Sequence, residues 1–394
     1  MLKYICDNMK GKSIFSKIDK PLLFMAMLYS AIGILLVLSA SSVSAVLRNG
    51  ESPYYFFIRQ LVFVVASYFI GFLLVLKVPT KAYKALVPIA LISINGLLLF
   101  LLLYGTVVNN VKSWIDLGFF SVQPSEFAKT VLIIYMGVFF GEYEKRKDKK
   151  YGFLIPISVG ILVFGLTAAQ PDLGTALIIA GIVFFTFLSI PLKNNTVAKG
   201  LKILAGGVLV AVIVFLVTGT SFLTEEQQSR LNFKAPCTRY VEKTGYQVCN
   251  GFIAINGGGL FGKGLGNSTQ KYLYLPEAHT DFIFPIAIEE LGVVFGVLMI
   301  LGYIFILYRI VLISKTSYNL RNSIICYGVA IYILLHLIVN FCGILALIPL
   351  TGVPVPFLSY GGSFTSNLIF AIFIVERIAI ENKITKRKLE LSKI

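Results

Sequence analysis

Long apolar runs alternate with charged or Gly/Pro-containing breaks along the whole chain. Read between those breaks, the runs fall at 21–46, 54–76, 83–105, 127–142, 152–169, 173–191, 201–220, 281–308, 322–348 and 360–380. Most are long enough to cross a hydrocarbon core of about 30 Å as helices. The fourth to sixth are shorter, and their ends are the least defined. The pattern predicts an all-α integral membrane protein, a bundle of about ten transmembrane helices in one polytopic domain over residues 1–394. Between the seventh and eighth runs lies a long loop, 222–280, rich in Gly and polar residues. Its apolar stretch GFIAINGGGLFG is expected to lie along the membrane interface. A loop of this length is usually functional in its own right.

Composition agrees with that reading. The chain is 57% hydrophobic and 14% charged, with a mean hydropathy of +0.83, against roughly 45–50% apolar and about 25% charged for soluble domains. The net charge of +16 would suggest nucleic acid in a soluble protein. Here the bases gather in alternate short loops, and no basic stretch interleaves with aromatics, so nucleic-acid binding is excluded. Lys3, Lys10, Lys12, Lys17 and Lys20 fill the tail 1–20, and Lys77, Lys81 and Lys84 the second connection. Lys145, Arg146, Lys147, Lys149 and Lys150 follow the fourth run, Lys193, Lys199 and Lys202 the sixth. Arg309, Lys315 and Arg321 follow the eighth, and Lys383, Lys386, Arg387 and Lys388 the last, in the tail 381–394. The intervening loops AAQPD and LIPLTGVPVPF carry no base. By the positive-inside rule both termini are cytoplasmic and the number of spans is even. The loop 222–280 is then extracellular. The first run is too long for a cleavable signal peptide and has no small-residue cleavage site.

Cysteine usage adds one expectation. Cys237 and Cys249 fall together in the long outer loop. On an oxidising face a disulfide between them is expected, with two free thiols as the alternative. There are only two His and no CxxC pair, so no zinc site is expected.

Ionisable groups at membrane depth are costly and therefore point to function. LPEAHTDFIFPIAIEELG places Glu277, His279 and Asp281 where the long loop enters the eighth run, with Glu289 and Glu290 about two turns further in. The eight-residue spacing puts Asp281 and Glu289 on nearly one helical face. The plain alternative is that Pro276 and Thr280 start a helix and Asp281 merely favours its positive N-terminal end; several ionisable groups converging at one entrance argue against it. VKSWIDLGFFSVQPSEFAK holds Trp114, the chain's one Trp, which reads either as an interfacial anchor or as part of a site. Glu126 and Lys129 stand at i, i+3 and read as a simple intrahelical pair or as a buried pair facing an anionic ligand. Arg59 either snorkels or meets a phosphate. Asp172, after Pro171, reads more readily as a helix-starting acid. In PLTGVPVPFLSYGGS the Pro and Gly residues predict broken backbone at membrane depth, with Ser359 and the adjacent glycines open to a polar ligand. GGGLFGK, Gly257 to Lys263, approaches a P-loop but has Gly264 where Ser or Thr is needed and no βαβ unit around it.

QPSEFAK, QPDLGTA, GGLFGKGLGNS, LPEAHTDFIF with EELG, and TGVPVPFLSYGGS together, in this order, resemble the SEDS family of shape, elongation, division and sporulation proteins, of the FtsW/RodA type. GNSTQKYLYLPEAHTDFIF looks more like the division member than the elongation member. The resemblance implies a ten-helix peptidoglycan glycosyltransferase of the bacterial cytoplasmic membrane. It implies polymerisation of lipid II onto a growing glycan-lipid chain at the outer leaflet. The partners implied are a class B penicillin-binding protein and other division or elongation membrane proteins. In the family the essential carboxylate is the Asp of HTDFIF, here Asp281, and the functionally important Trp matches Trp114. AINGGG, with Asn256, and SYGGSF, with Phe364, depart from the usual pattern.

The expected chemistry is general-base catalysis by Asp281 on an incoming sugar hydroxyl, with inversion at the donor carbon. Proton transfer of this kind is worth about 10²–10⁴-fold. Arg59, Lys129, Lys263 and Lys271 are the expected cations for the leaving pyrophosphate, with Trp114, Glu126, His279, Glu289 and Ser359 as further substrate contacts. No cofactor is assigned; a divalent cation, Mg2+ or Mn2+, is the candidate for sharing the leaving group's charge. A flippase for lipid-linked sugars is the rival from another class. A scaffold that only recruits partners would leave the acidic outer site without a purpose.

Overall fold

The computed structural model describes residues 14–108, 111–118, 120–143, 152, 154–191, 199–200, 202–203 and 233–393. Among these, the α-helices are α1 (Lys20–Asn49), α2 (Tyr55–Leu73), α3 (Tyr83–Tyr104), α4 (Pro124–Tyr143) and α5 (Leu154–Ala168). There follow α6 (Leu173–Leu188), α7 (Lys243–Gly258), α8 (Ile283–Lys315), α9 (Leu320–Ile344) and α10 (Gly362–Leu391). All but α7 coincide with an expected span. The seventh expected span, 201–220, lies almost wholly outside the described residues. Helices α1, α3, α8, α9 and α10, and α2 with the turn after it, are long and apolar enough to cross a membrane. At 1.5 Å per residue the shorter α5 and α6 reach only about 23 Å.

Sequence explains where these helices begin and end. Asp19 caps α1, accepting from the Leu22 amide at 3.2 Å, and Pro21 sits in the first turn, where its missing N–H removes no helical bond. Gly50 ends it at φ 65°, the left-handed conformation that glycine adopts without steric cost. Asp172 caps α6 through the Thr175 amide and Asn319 caps α9 through the Arg321 amide.

Helix α10 is the centre of the bundle. Its apolar stretch is 83% buried, against 22% for those of α2 and α3, whose outer faces are left for lipid. It also runs to Leu391, through most of the expected tail 381–394. Charged pairs one turn apart support that extension, Arg377 with Glu381 at 3.1 Å among them. The start of α1 meets α8 and the later turns of α10 at one end of the bundle. Arg309 pairs with Asp19 at 2.5 Å and Lys383 donates to the Ile18 carbonyl at 2.9 Å.

Three features go beyond the expectations. The connection before α4 carries regular structure: β1 (Thr106–Val108), β2 (Val111–Asp116) and β3 (Ser121–Val122) form a small antiparallel sheet in the order β1-β2-β3, with Trp114 in β2 opposite Thr106. Long loop 222–280 contains α7, and GFIAINGGGLFG does not simply lie along an interface. One face of α7 packs on the start of α8, so closely that a Cβ on Gly258 would lie 2.1 Å from the Ile288 carbonyl oxygen. Ile253, Leu260 and Phe261 stay on the outside.

The eighth span is also not one straight helix. Gly292 breaks it at φ 86° and ψ 167°, leaving a half-helix Ile283–Leu291 before the long segment resumes. The break is stitched by backbone bonds to the loop after α7. Lys263 and Gly264 amides donate to the Glu289 and Glu290 carbonyls at 3.0 and 2.8 Å. The Val293 and Val294 amides donate to the Gly259 and Leu260 carbonyls at 3.0 and 3.2 Å. Helix-end groups that would otherwise be orphaned in the membrane are thus satisfied. The expected break before α10 is present as well. Residues 349–360 carry no regular structure although Val355, Phe357, Leu358 and Ser359 are fully buried.

Candidate functional site

Asp281 lies just before α8, buried, on a tight turn. The Thr280 hydroxyl stands 3.1 Å from its Oδ1 and 3.0 Å from a carboxylate oxygen of Glu277. Glu277 holds φ at 54° and Leu273 at 68°, a left-handed conformation that costs a non-glycine residue on the order of 1–3 kcal/mol and clusters at functional sites. Gly352, in the broken segment, comes so close that a Cβ there would lie 3.9 Å from Asp281 Oδ2. The peptides around Asp281 are fixed from two sides. Ser359 donates to the Thr280 carbonyl at 2.6 Å, and Asn340 of α9 donates to the Asp281 carbonyl at 2.8 Å.

Beside this turn, His279 is half-buried between the rings of Phe56 and Tyr360, with centroids at 4.5 and 5.6 Å. Burial pushes its pKa below the ordinary value, and the nearby Arg48 cation acts in the same direction against Glu277. Arg59 stacks over Tyr55 at 4.3 Å and lies against the Tyr360 hydroxyl. Arg59 and His279 therefore share one aromatic wall of Tyr55, Phe56 and Tyr360 beside the Asp281 turn.

A second polar group lies deeper. Lys129 is buried and pairs with Glu126 at 2.8 Å, so the two form the expected i, i+3 pair in a low-dielectric setting. Lys129 also meets His336 Nε2 at 3.2 Å, with the Tyr332 and Phe364 rings at 5.7 and 5.9 Å. His336 Nδ1 lies 3.2 Å from the Pro354 carbonyl. With the lysine donating to Nε2, the ring proton sits on Nδ1 and donates to that carbonyl. Among the described residues Glu126 Oε2 has no hydrogen-bond partner, which leaves this group one free acceptor there. Asp172, besides capping α6, accepts from Gln123 at 2.8 Å.

The third group corrects several expectations. Glu289 does not share a face with Asp281: the helix begins only at Ile283, so helical spacing cannot be counted back to residue 281. Glu289 instead turns to the loop after α7. It accepts from Lys263 at 2.6 Å, Ser268 at 2.5 Å, Thr269 Oγ1 at 2.7 Å and the Gln270 amide at 3.2 Å. Glu290 accepts from Lys271 at 3.1 Å and from Ser39 of α1 at 2.6 Å. Lys263 and Lys271, expected as cations for a phosphate, are thus matched one to one with buried carboxylates. Together the four hold the loop onto the half-helix. Ser359, expected to face a ligand, is fully buried, donates to the Thr280 carbonyl and accepts from the Val355 amide at 2.8 Å. Its hydroxyl positions the turn rather than a substrate. Trp114 is half-buried in β2.

Cys237 and Cys249 form a disulfide with Cα atoms 4.9 Å apart, tying the residues before α7 to its middle. Among the described residues no three His, Cys, Asp or Glu side chains converge to hold a metal ion, so no protein cage for Mg2+ or Mn2+ is present there.

Sequence reasoning missed His336, Asn340 and Gln60. Each is a polar residue within an apolar run, and the cost of burying polar groups applies to neutral ones as well. Gln60 is fully buried and donates to the Ser359 carbonyl and Thr365 at 3.2 Å each, holding the broken segment from α2.

A family model described as "Cell cycle protein", covering FtsW, RodA and SpoVE, matches residues 19–384. The chain is 35% identical over 384 residues to the probable peptidoglycan glycosyltransferase FtsW of Bacillus subtilis (strain 168), covering 96% of this chain and 94% of that protein. It is 32% identical over 370 residues to stage V sporulation protein E of the same organism, covering 92% and 96%. Its fold matches a chain of a peptidoglycan synthase complex, with a TM-score of 0.72 at 22% identity over 93% of this chain and 98% of that one. It also matches the rod shape determining protein RodA of Thermus thermophilus, with a TM-score of 0.64 at 24% identity over 92% and 96%.

Proposed function

The chain belongs to the FtsW/RodA/SpoVE family of multi-pass membrane proteins, and from that premise we propose that it is a peptidoglycan glycosyltransferase polymerising lipid II. The observation that carries the reading is the placing of Asp281. It is a buried carboxylate on a strained turn whose flanking peptides are held by Ser359 and Asn340. Such a group is preorganised to take a proton from a bound hydroxyl.

In this reading Asp281 accepts the proton of a sugar 4-hydroxyl as its oxygen attacks C1 of the donor sugar. The C1–O bond to the lipid pyrophosphate breaks, the configuration inverts, and the leaving group carries the negative charge away. Arg59, on the wall beside Asp281, and Lys129, with its free-acceptor neighbour Glu126, are the residues for that charge. Trp114 and His279 border the substrate's path. Lys263, Lys271 and Glu289 act by holding the loop.

The site lies at the far end of α1 from Asp19, the end that contacts Arg309 and α10. We place the termini, with Arg309 and Lys383, in the cytoplasm and the site at the outer leaflet, in keeping with the basic connections. Lipid II, the growing glycan-lipid chain and a class B penicillin-binding protein are the partners of this reading, in division or elongation.

The test is polymerisation of fluorescent lipid II by the purified chain with its cognate class B penicillin-binding protein, with moenomycin present to silence unrelated polymerases. Wild type should give long glycan and Asp281→Asn none, with both proteins equally folded. An active Asp281→Asn enzyme would remove the base assignment. Lipid II scrambling in proteoliposomes, without any glycan, would favour the carrier reading instead.

A further inference from the structure

Helix α9 presents two polar side chains one turn apart on the same face, His336 and Asn340, both buried inside an apolar span. Asn340 gives its two amide hydrogens to two carbonyls from different parts of the chain. One is Asp281, at 2.8 Å, and the other is Val353 in the broken segment, also at 2.8 Å. His336 meets the next carbonyl of that segment, Pro354, at 3.2 Å, and Lys129 on its other nitrogen. The face therefore links the Asp281 turn, two consecutive peptides of the broken segment, and the buried lysine.

A lone Asn in an apolar helix has to find partners, but its backbone could supply them within the helix. Here neither amide hydrogen is used that way. Both reach across to backbone that lacks helical partners of its own, and one of those groups belongs to Asp281. We propose that Asn340 is a positioning residue for the glycosyl transfer: by donating to the Asp281 and Val353 carbonyls it sets where the Asp281 carboxylate stands relative to the broken segment and, through His336, to Lys129. This rests on Asp281 being the base. Asn340 touches no reacting atom, and its effect lies in the orientation of a group that must be held within about 0.5 Å of its productive position.

The experiment compares wild type with Asn340→Ala, Asn340→Asp and Asp281→Asn in the lipid II polymerisation assay, using the full chain purified with its class B penicillin-binding protein. Thermal unfolding of each variant is recorded alongside. Asn340→Ala removes both donors. Asn340→Asp keeps the shape but replaces donors by acceptors, so it should fail as Ala does. The expected result is a fall in kcat of about 10²-fold in both Asn340 variants, the loss that misplacing a group by about 1 Å can cause, with the KM for lipid II within about twofold of wild type. A merely structural role would lower the amount of folded enzyme and leave kcat per folded molecule unchanged. Wild-type kcat per folded molecule in both Asn340 variants, with Asp281→Asn inactive, would overturn the positioning role and leave the base intact. Activity in Asp281→Asn would overturn both together.

Discussion

Lys263 Nζ lies 2.6 Å from Oε1 of Glu289, and the pair joins the loop after α7 to the half-helix that begins two residues after Asp281. Glu289 is fully buried, whereas Lys263 keeps about a third of its side chain exposed. The carboxylate is the fixed partner and the loop is what it holds. Loss of Glu289 would therefore be felt along residues 263–271, where its partners lie.

Glu289→Ala should leave Lys263, Ser268 and Thr269 without their common acceptor. Lys263, a third exposed, regains water, so the loss falls on the Ser268 and Thr269 groups left without an acceptor, about 1–3 kcal/mol. Proteolysis within 259–275 should become rapid and the thermal midpoint should fall. Glu289→Gln, which keeps the shape and part of the bonding, should lose less. Equal protease resistance in wild type and Glu289→Ala would show that the backbone bonds and the Glu290–Lys271 pair suffice to hold the loop.

The disulfide acts further out on the same loop. Cys237 and Cys249 are 12 residues apart, and a bridge closing a loop of that size contributes about 3 kcal/mol on the chain-entropy model. Cys237→Ser with Cys249→Ser should lower the midpoint and open the residues before α7 to protease. Half-helix Ile283–Leu291, held by Glu289 and Glu290, should keep its hydrogen-exchange protection. Loss of protection there would mean that the bridge supports the whole outer region.

Much of this was legible in the sequence, for identifiable reasons. Apolar length gave the spans, because in a bilayer a spanning segment must satisfy its backbone internally. Pro354, Pro356 and the paired glycines marked the broken segment before α10. Asp281, Arg59, His279 and the Glu126–Lys129 pair stood out because charge at membrane depth is costly. What could not be read was partnership. Lys263 and Lys271 looked like free cations since Glu289 and Glu290 lie 26 and 19 residues further on, and only the packing of α7 and its following loop against the start of α8 brings them together. The face shared by Asp281 and Glu289 failed because helical spacing does not extend through a residue outside the helix. Ser359 looked available because a hydroxyl's acceptors, here a carbonyl and an amide from other segments, are invisible to local pattern.

His279 gives the site a pH dependence of definite sign. Burial lowers its pKa from the ordinary 6.5, with Arg48 assisting and Glu277 opposing. The folded chain prefers the neutral ring, so the unfolded chain takes up the proton first as pH falls. The stability this contributes is fully present above about pH 6.5 and is lost as pH drops through the lowered folded value. Thermal unfolding should show a midpoint that declines between pH 7 and pH 5, and His279→Phe, which keeps the packing against Phe56 and Tyr360, should decline less. Identical slopes in the two proteins would mean that other groups dominate acid sensitivity.

Lys129 and Glu126 allow chemistry to be separated from folding. Lys129→Ala alone would leave Glu126 as an uncompensated buried charge, at a cost of about 3–5 kcal/mol, and inactivity would then say nothing about the reaction. The double variant Glu126→Gln with Lys129→Met removes both charges at nearly constant volume. Replacing a buried pair in this way is often neutral or stabilising by about 1–4 kcal/mol, so the thermal midpoint should stay near wild type or rise. Polymerisation should nevertheless fall by about 10²–10³-fold, the loss typical of removing one group that stabilises developing charge. The contrast is informative because the two effects have opposite signs: a frame-only pair predicts a stable and active variant, whereas a pair that meets the leaving pyrophosphate predicts a stable and inactive one. A stable variant with full activity would assign the negative charge of the leaving group to Arg59 and its surroundings instead.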